Sequence, residues 1–432
     1  MFSVFRNAWK VQDLRKKILF TALVLIIFRL GCNIPVPFLD PDALKAMFGN
    51  FASEGNIFTY LNILSGDAMS SASFFSLSIS PYINASIIMQ LLAVAIPALE
   101  RKMKDDPEGG KKLMETWTRY LAIAFSFLLG FGYYTILKNR ANAVSEGQEV
   151  FKALVIIFAF AAGATIIMWL GEKINEKGIG NGISILLFAG IVAGLPGMGN
   201  TLISAIRAGA VHWILGVVCV LVVLLMIAFV VFITNGERRI PVQYAKQVKG
   251  RKMYGGQNTN IPLKVNMTGV LPIIFAQSFV MLPPTIVNFF PKLLKWKWVE
   301  AIVDTINVGG WVYMVAMFLL IIAFSYFYTV ISFNPVEVAN NLKKNGGFIM
   351  GIRPGKPTAE FITKSLNRIT LIGAIFLGLL AVLPNIAAMI NSSLSSVAIG
   401  GTTLLIVVGV ALETMKTLES QMLMRHYKGF LE

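Results

Sequence analysis

The sequence predicts an all-α polytopic membrane protein with ten transmembrane helices. Of its 432 residues, 56% are hydrophobic and 14% are charged, and the mean hydropathy is +0.70. The hydrophobic residues occur in blocks of about 20, the number that a helix needs to cross the hydrocarbon core of a bilayer. Ten such blocks lie near residues 18–38, 76–97, 117–137, 151–170, 183–205, 211–233, 267–289, 309–331, 369–390 and 398–418.

Lysine and arginine residues are distributed unevenly between the two sides of the membrane. If the N-terminus is inside, 29 of the 38 basic residues fall in inner segments and eight in outer segments. Cytoplasmic loops carry such an excess of positive charge. We therefore expect both termini to be cytoplasmic.

The stretch at residues 57–73 is hydrophobic enough to reach membrane depth but too polar to face lipid. It contains a glycine, an aspartate and several serines, whose polar groups lipid would leave unsatisfied. If it crossed the membrane, every later loop would change sides and the basic loops would face outward. We expect a re-entrant half-helix that the rest of the protein shelters, followed by a spanning helix that Pro81 opens.

The ten spans divide into two halves of five, at residues 1–207 and 208–432. Because five is an odd number, the second half enters the membrane from the opposite side, and a pseudo-two-fold axis in the membrane plane would relate the halves. This arrangement predicts a clamshell with a central path, in which the half-helix would lie. Two basic inner loops, 234–266 and 332–367, each exceed 30 residues, and we expect them to dock an acidic cytoplasmic partner.

The sequence contains no recognisable catalytic apparatus. GxSxG, HExxH and Walker motifs are absent, and the cysteines Cys32 and Cys219 belong to no cluster with metal-ligand spacing. The spans are almost free of the ionisable residues that proton- or sodium-coupled carriers need, although Arg29 lies near the outer end of the first span. We expect no enzyme activity, metal or cofactor. A solute transporter with inverted repeats and a membrane scaffold without a pore remain alternatives.

Two kinds of side chain at membrane depth are candidates for the path. The aliphatic candidates lie four residues apart on one helix face, which by itself indicates core packing; they are Ile83 with Ile87 and Leu187 with Ile191. The uncharged polar candidates are Asn84, Gln90 and Gln277. Amide contacts between helices are worth about 1 kcal/mol in a membrane, which suits a seam that opens and equally a permanent one.

Several runs of residues resemble the SecY/Sec61α family over essentially the whole chain. They are IPVP at 34–37, PYINASIIMQLL at 81–92, EKGIGNGISILLFAGIVAG at 176–194, RRIPVQYAKQVKGRKMYGGQNTNIPLKVNMTGVLPIIFA at 238–276, NPVEVANNLKKNGGFIMGIRPGKPT at 334–358 and GGTTLLIVVGVALET at 400–414. The runs occur in the family's order and topological places. The short tail and the form of the loops resemble bacterial members.

The resemblance implies a role for each feature. The stretch 57–73 would be the plug of a protein-conducting channel, and a ring of aliphatic side chains would seal its pore by dewetting. Spans two, three, seven and eight would form a lateral gate to lipid. The implied ring is Ile83, Ile87, Leu187, Ile191, Ile274 and Ile406, and the plug includes Ile57, Leu61, Leu64, Gly66, Asp67 and Ser70. The implied polar gate residues are Asn84, Gln90 and Gln277, and the docking residues are Arg238, Arg239, Lys249, Arg251, Lys252, Arg353 and Lys356.

The implied function is to move unfolded secretory polypeptides across the bacterial cytoplasmic membrane and to release membrane-protein helices laterally into lipid. The implied partners are SecE-like and SecG-like small membrane subunits, the SecA ATPase motor, the ribosome, signal peptides, nascent membrane proteins and membrane lipid. A partner would supply the free energy, which agrees with the missing nucleotide-binding and ion-coupling motifs.

Overall fold

The computed structural model describes residues 6, 8–40, 42–44, 46–48, 62, 65–139, 143–144, 149–207, 209, 212–244, 247–249, 252–254, 259–267, 269–289, 310–390 and 395–428. Its main helices are α1 (Gln12–Gly31), α2 (Ser80–Ala95), α3 (Pro97–Asp105), α4 (Pro107–Asn139), α5 (Glu149–Lys177), α6 (Gly182–Arg207), α7 (Trp213–Asn235), α8 (Leu271–Phe289), α9 (Trp311–Ser332), α10 (Pro335–Lys344), α11 (Lys356–Ile390) and α12 (Ser395–Lys428). The strands are β1 (Glu237–Tyr244), β2 (Gln247–Lys249), β3 (Lys252–Tyr254), β4 (Thr259–Lys264) and β5 (Gly347–Ile349).

Each of the ten predicted spans contains a helix, which confirms the all-α prediction. By length and composition alone, five helices in the described part of the chain can cross a membrane, and α2 with α3 would make a sixth if that pair, bent by 87°, is one span. Helices α6 and α8 are apolar over the shorter stretches 182–197 and 271–287. Both contain proline, at Pro196 in α6 and at Pro283 and Pro284 in α8.

Contacts between helix ends bring the basic segments together at one end of the bundle. The contacts are Lys17 Nζ to Gln421 Oε1 (3.4 Å), the Ile179 amide to Thr21 Oγ1 (3.2 Å), Arg119 Nε to Glu172 Oε1 (2.7 Å) and Lys416 Nζ to the Thr234 carbonyl (3.0 Å). They join the first turns of α1 to the α5–α6 connection and to the last turns of α12, and α12 in turn to the end of α7. We call this the basic end.

The two long basic loops meet in one small antiparallel sheet with the strand order β4-β1-β5. Arg238 of β1 lies opposite Leu263 of β4, and Gln243 of β1 lies opposite Phe348 of β5, which comes from the second loop. The buried residues of this sheet pack on α11 in a hydrophobic cluster of their own. These strands were not predicted from the sequence, although the alternation of exposed and buried residues at 239–242 is the usual strand signal.

The largest hydrophobic cluster extends across both halves of the chain. It includes buried residues of α1, α2, α5 and α6 from the first half and of α7, α8, α9, α11 and α12 from the second. Helix α8 packs against α2 and α4, so the halves also touch along one side. Burial against helices of the other half therefore defines the centre of the molecule, where the candidate site lies.

Candidate functional site

The six residues predicted for the pore ring all lie in the largest hydrophobic cluster. They come from α2, α6, α8 and α12, and none is more than 6% exposed. Helix α2 begins at Ser80 with Pro81 in its first turn, as predicted, and this start sets which face carries Ile83 and Ile87. The structure thus brings the six side chains into one core from four separate helices.

A cavity with about 850 Å³ of empty space, part of it open to solvent, lies beside these residues. Ile83, Leu187, Ile274 and Ile406 line it. Its other walls include the polar residues Asn84 and Gln277, Met69 from the predicted half-helix, and Ser76 and Ser78 from the residues that follow it. Four ring residues, two of the polar candidates and residues between 69 and 78 are therefore neighbours around one space.

Residues 65–79, which we call the serine-rich segment, form consecutive turns rather than a helix. Serine hydroxyls donate to backbone carbonyls within the segment, and such local bonds compete with helix formation. These bonds join Ser70 and Ser71 to the Asp67 carbonyl (3.0 and 3.1 Å) and Ser73 to the Ala68 carbonyl (3.1 Å). Of the predicted half-helix, Asn62 is helical, whereas the plug candidates Ile57, Leu61 and Leu64 lie outside the described residues.

Gly66 is the point at which the serine-rich segment touches a helix that carries ring residues. Its φ is +66°, and a Cβ at Gly66 would lie 3.1 Å from both the Cα and the carbonyl oxygen of Gly190. Gly190 directly precedes Ile191 in α6. The backbone of the segment therefore lies against the backbone of the ring helix, an approach that glycine permits and that a side chain would crowd.

Helices from the first half surround the serine-rich segment. The ring of Phe75 stacks on Phe28 of α1, with centroids 6.0 Å apart. A Cβ at Gly163 of α5 would lie 1.8 Å from the Phe74 carbonyl oxygen, so this helix packs as closely as its backbone allows. Arg29 of α1 and Tyr133 of α4 also donate hydrogen bonds to the segment, at the carbonyls of Gly66 and Met69 (both 2.7 Å). These bonds were not predicted, because a single sequence does not show which side chain reaches a distant carbonyl.

The three polar candidates have different surroundings. Gln90 of α2 accepts a hydrogen bond from the Tyr328 hydroxyl of α9 and so joins the two halves. Gln277 of α8 donates to Tyr313 Oη of α9 (3.1 Å) within the second half, and its own Oε1 is buried without a hydrogen-bond partner among the described residues. Asn84 is buried beside the cavity. Neither tyrosine was predicted from the sequence.

The docking candidates lie in and beside the sheet at the basic end. Arg238 and Arg239 belong to β1, Arg353 follows β5 and Lys356 begins α11; all four are exposed. Glu237 pairs with Arg239 (2.6 Å). Lys249 and Lys252 are paired in the backbone register of the β2–β3 hairpin, and Arg251 lies outside the described residues.

Known proteins match this chain in both sequence and fold. The SecY family model matches residues 73–415. A protein translocase subunit SecY from Streptomyces scabiei is 42% identical over 442 residues, with both chains covered completely. Two solved channels share the fold, each with 94% of this chain and 92% of theirs covered: a SecY protein whose plug domain stabilises the closed state and maintains a membrane seal (TM-score 0.65, 19% identity), and canine Sec61 in a ribosome–channel complex (TM-score 0.59, 17% identity).

At such low identity these two structures establish only that the chain shares their fold. The family model covers most of the chain, and the curated relative matches it from end to end at an identity that shows common descent. The chain therefore belongs to the SecY family of protein translocase subunits.

Proposed function

We propose that an unfolded polypeptide crosses the cytoplasmic membrane through the centre of this chain, between its halves at residues 1–207 and 208–432. The observation that carries the proposal is the convergence of six buried aliphatic side chains from four helices of both halves. Aliphatic side chains exclude water and ions from a narrow constriction, yet they can rearrange around a passing chain. The same residues offer no polar midplane site, which an inverted-repeat solute transporter would need.

Residues 57–73, of which 65–73 belong to the serine-rich segment, would be the plug that closes this path at rest. The hydroxyls of Ser70, Ser71 and Ser73 are satisfied within the serine-rich segment, which lets this part of the chain occupy membrane depth without facing lipid. The contact between Gly66 and Gly190 seats it beside the ring. Ring and plug together would block ions until a polypeptide displaces the plug.

The lateral gate would lie where α8 and α9 meet α2 and α4. In this gate the bond between Gln90 and Tyr328 joins the halves, while Asn84 and Gln277 line the cavity behind it. A signal helix that binds between the halves would stabilise the open state only as far as it prefers that state. Since this bond must break when the gate opens, Tyr328 and Gln90 would contribute part of the free energy that favours the closed gate over the open one.

The basic end would face the cytoplasm, with both termini, because cytoplasmic segments carry the excess of lysine and arginine. The sheet and the residues after it would form the docking surface for a SecA-type motor and for the ribosome. The canine relative forms a ribosome–channel complex, and exposed arginines suit phosphate and carboxylate groups on such partners. SecE-like and SecG-like subunits would complete the channel, and lipid would receive released helices.

Cross-linking during translocation tests the path directly. Ile87→Cys and Ile274→Cys, each in reconstituted vesicles with a SecA-type motor, should cross-link to mid-chain residues of a secretory precursor arrested halfway. The control is Ile167→Cys, since Ile167 is equally buried in the same cluster but lies on α5 outside the ring. We expect cross-links at both ring positions and none at the control.

Translocation of the precursor without cross-links at either ring position would place the path elsewhere and leave the six residues as ordinary core. Deletion of residues 57–73 separates the rival functions. A channel should then leak ions, a solute transporter should lose transport, and a scaffold should change little.

Tyr328→Phe is expected to make the lateral gate open more readily. The substitution removes the hydroxyl that bonds Gln90 across the halves, and a hydrogen bond of this kind contributes about 1 kcal/mol. The open fraction should rise about fivefold, measured as export of a precursor with a weakened signal sequence. Gln90→Leu should give a similar rise, and the double variant should add little, because both changes remove one bond.

Tyr326→Phe is the matched control for the gate variant. It lies on the same helix, and its hydroxyl bonds the Asn367 carbonyl (3.1 Å) away from the gate. Equal export by the Tyr326 and Tyr328 variants would contradict the gate assignment, as would fully additive effects of the Tyr328 and Gln90 changes.

A further inference from the structure

The serine-rich segment is attached differently at its two ends. At residues 72–74 the attachment is backbone to backbone: the Val36 amide donates to the Ala72 carbonyl (3.0 Å), and the Phe74 amide donates to the Ile34 carbonyl (2.9 Å). This pairing forms a short antiparallel contact with the residues that follow α1, marked by the bridge between Pro35 and Ser73. No side chain is needed to maintain it.

At residues 65–69 the attachments come from side chains of two helices. Arg29 Nη1 of α1 donates to the Gly66 carbonyl (2.7 Å), and Tyr133 Oη of α4 donates to the Met69 carbonyl (2.7 Å). The Arg29 guanidinium also attracts the Asp67 carboxylate. Cys32 Sγ makes only a weak contact with the Ser65 carbonyl (3.8 Å).

The two side chains suit this task for different physical reasons. A guanidinium that bonds a carbonyl makes a charge-assisted hydrogen bond, which is stronger than a neutral one. Tyr133 is fully buried, so without its hydroxyl the Met69 carbonyl would keep only the Ala72 amide (3.1 Å) as a donor and would lose its link to α4. Both bonds exist only while residues 66–69 stay in place, and neither involves residues 72–74.

We infer that Arg29 and Tyr133 are positioning residues that latch the plug, and that the plug leaves by swinging residues 65–70 about a hinge at 72–74. The inference rests on the proposed function of this segment as the plug. It identifies the side chains that stabilise the closed position of the plug and the end of the segment that moves. Displacing residues 65–70 then breaks the bonds from Arg29 and Tyr133, together with the bonds that Ser73 and Ser76 donate to the Ala68 carbonyl within the segment. The antiparallel contact keeps the segment ready to return.

A native cysteine reports on this motion. Cys32 is 2% exposed, and its sulfur faces Ser65 in the part of the segment that would move. In a Cys219→Ser background, the rate at which a maleimide labels Cys32 in reconstituted vesicles measures how often that part leaves. We expect Arg29→Met and Tyr133→Phe each to raise the rate about fivefold, and the double variant to raise it about 25-fold. Arg29→Lys should restore part of the protection, since lysine keeps the charge but not the planar fork.

Two controls separate latching from general loosening of the fold. Tyr120→Phe changes an exposed tyrosine of the same helix as Tyr133, and Arg207→Met removes an exposed arginine at the end of α6. Both should label at the parental rate, and all variants should keep the parental unfolding temperature. Raised labelling in the controls, or unchanged labelling in both latch variants, would overturn the inference.

The same vesicles distinguish failure of the latch from failure of the plug. If deletion of residues 57–73 causes ion leak while the latch variants label at the parental rate, the plug assignment stands and the latch is wrong. If the deletion causes no leak, the plug assignment fails and the latch falls with it.

Discussion

Gly66→Ala is expected to make the resting channel leak ions, although it adds only one methyl group. Alanine at a φ of +66° is strained by roughly 1–2 kcal/mol. The new Cβ would also lie 3.1 Å from the Gly190 backbone and 3.3 Å from Arg29 Nη1, so the segment and α6 would have to separate by a few tenths of an ångström. With a total cost of about 2 kcal/mol, the unseated fraction should rise about 30-fold, measured as single-channel or vesicle ion conductance without precursor.

Two other glycines separate the causes of this effect. Gly209 has a φ of +75° but would place a Cβ in open space, so Gly209→Ala carries the backbone strain without the contact. Gly194, on the same helix as Gly190, has neither a positive φ nor a neighbour within 4 Å of its Cβ. Both variants should stay sealed. An equally sealed Gly66→Ala channel would refute the seat between Gly66 and Gly190.

Charge reversal on the docking surface is expected to weaken ribosome binding strongly. Arg238 and Arg353 come from the two different basic loops, yet pairing of β1 with β5 makes those loops one unit. Arg238→Glu and Arg353→Glu each replace an attraction with a repulsion, and each should lower the affinity about tenfold at low salt. The loss should shrink as salt is added, because phosphate contacts weaken with ionic strength.

Binding is measured with purified ribosomes and vesicles that contain the channel, and the same assay with a SecA-type motor shows whether the surface is shared. Arg207→Glu is the control, since it changes an exposed arginine in the connection between the halves. If a variant with both Arg238→Glu and Arg353→Glu bound ribosomes as well as the parent at low salt, this sheet would be excluded as the docking surface. If Arg207→Glu weakened ribosome binding equally, the loss of affinity would reflect the change in net charge and not a contact made by this sheet.

The sequence predicted the helices well because their signal is local. A block of about 20 apolar residues has few alternatives in a membrane, and each of the ten blocks contains a helix. The four-residue spacing of Ile83 and Ile87, and of Leu187 and Ile191, also places each pair on one face without reference to other helices. Pro81 marked a helix start for an equally local reason.

The strands and the turns were harder to predict because they depend on partners far away in the chain. β1 is a strand because β4 and β5 lie beside it, and β5 is more than 100 residues later. The serine-rich segment has the hydrophobicity of a buried helix. Its hydroxyls nevertheless bond nearby carbonyls, and the packing of Gly163 and Gly190 holds the resulting turns.

By itself the sequence determined which segments enter the membrane, where the positive charges lie and which residues resemble a known channel family. Only the tertiary structure decided which helices face one another, and hence that Tyr328 bonds Gln90 and that Arg29 and Tyr133 hold the serine-rich segment. The physical reason is the range of the interactions. Burial in lipid acts on each segment independently, whereas a hydrogen bond between distant residues exists only after the helices have packed.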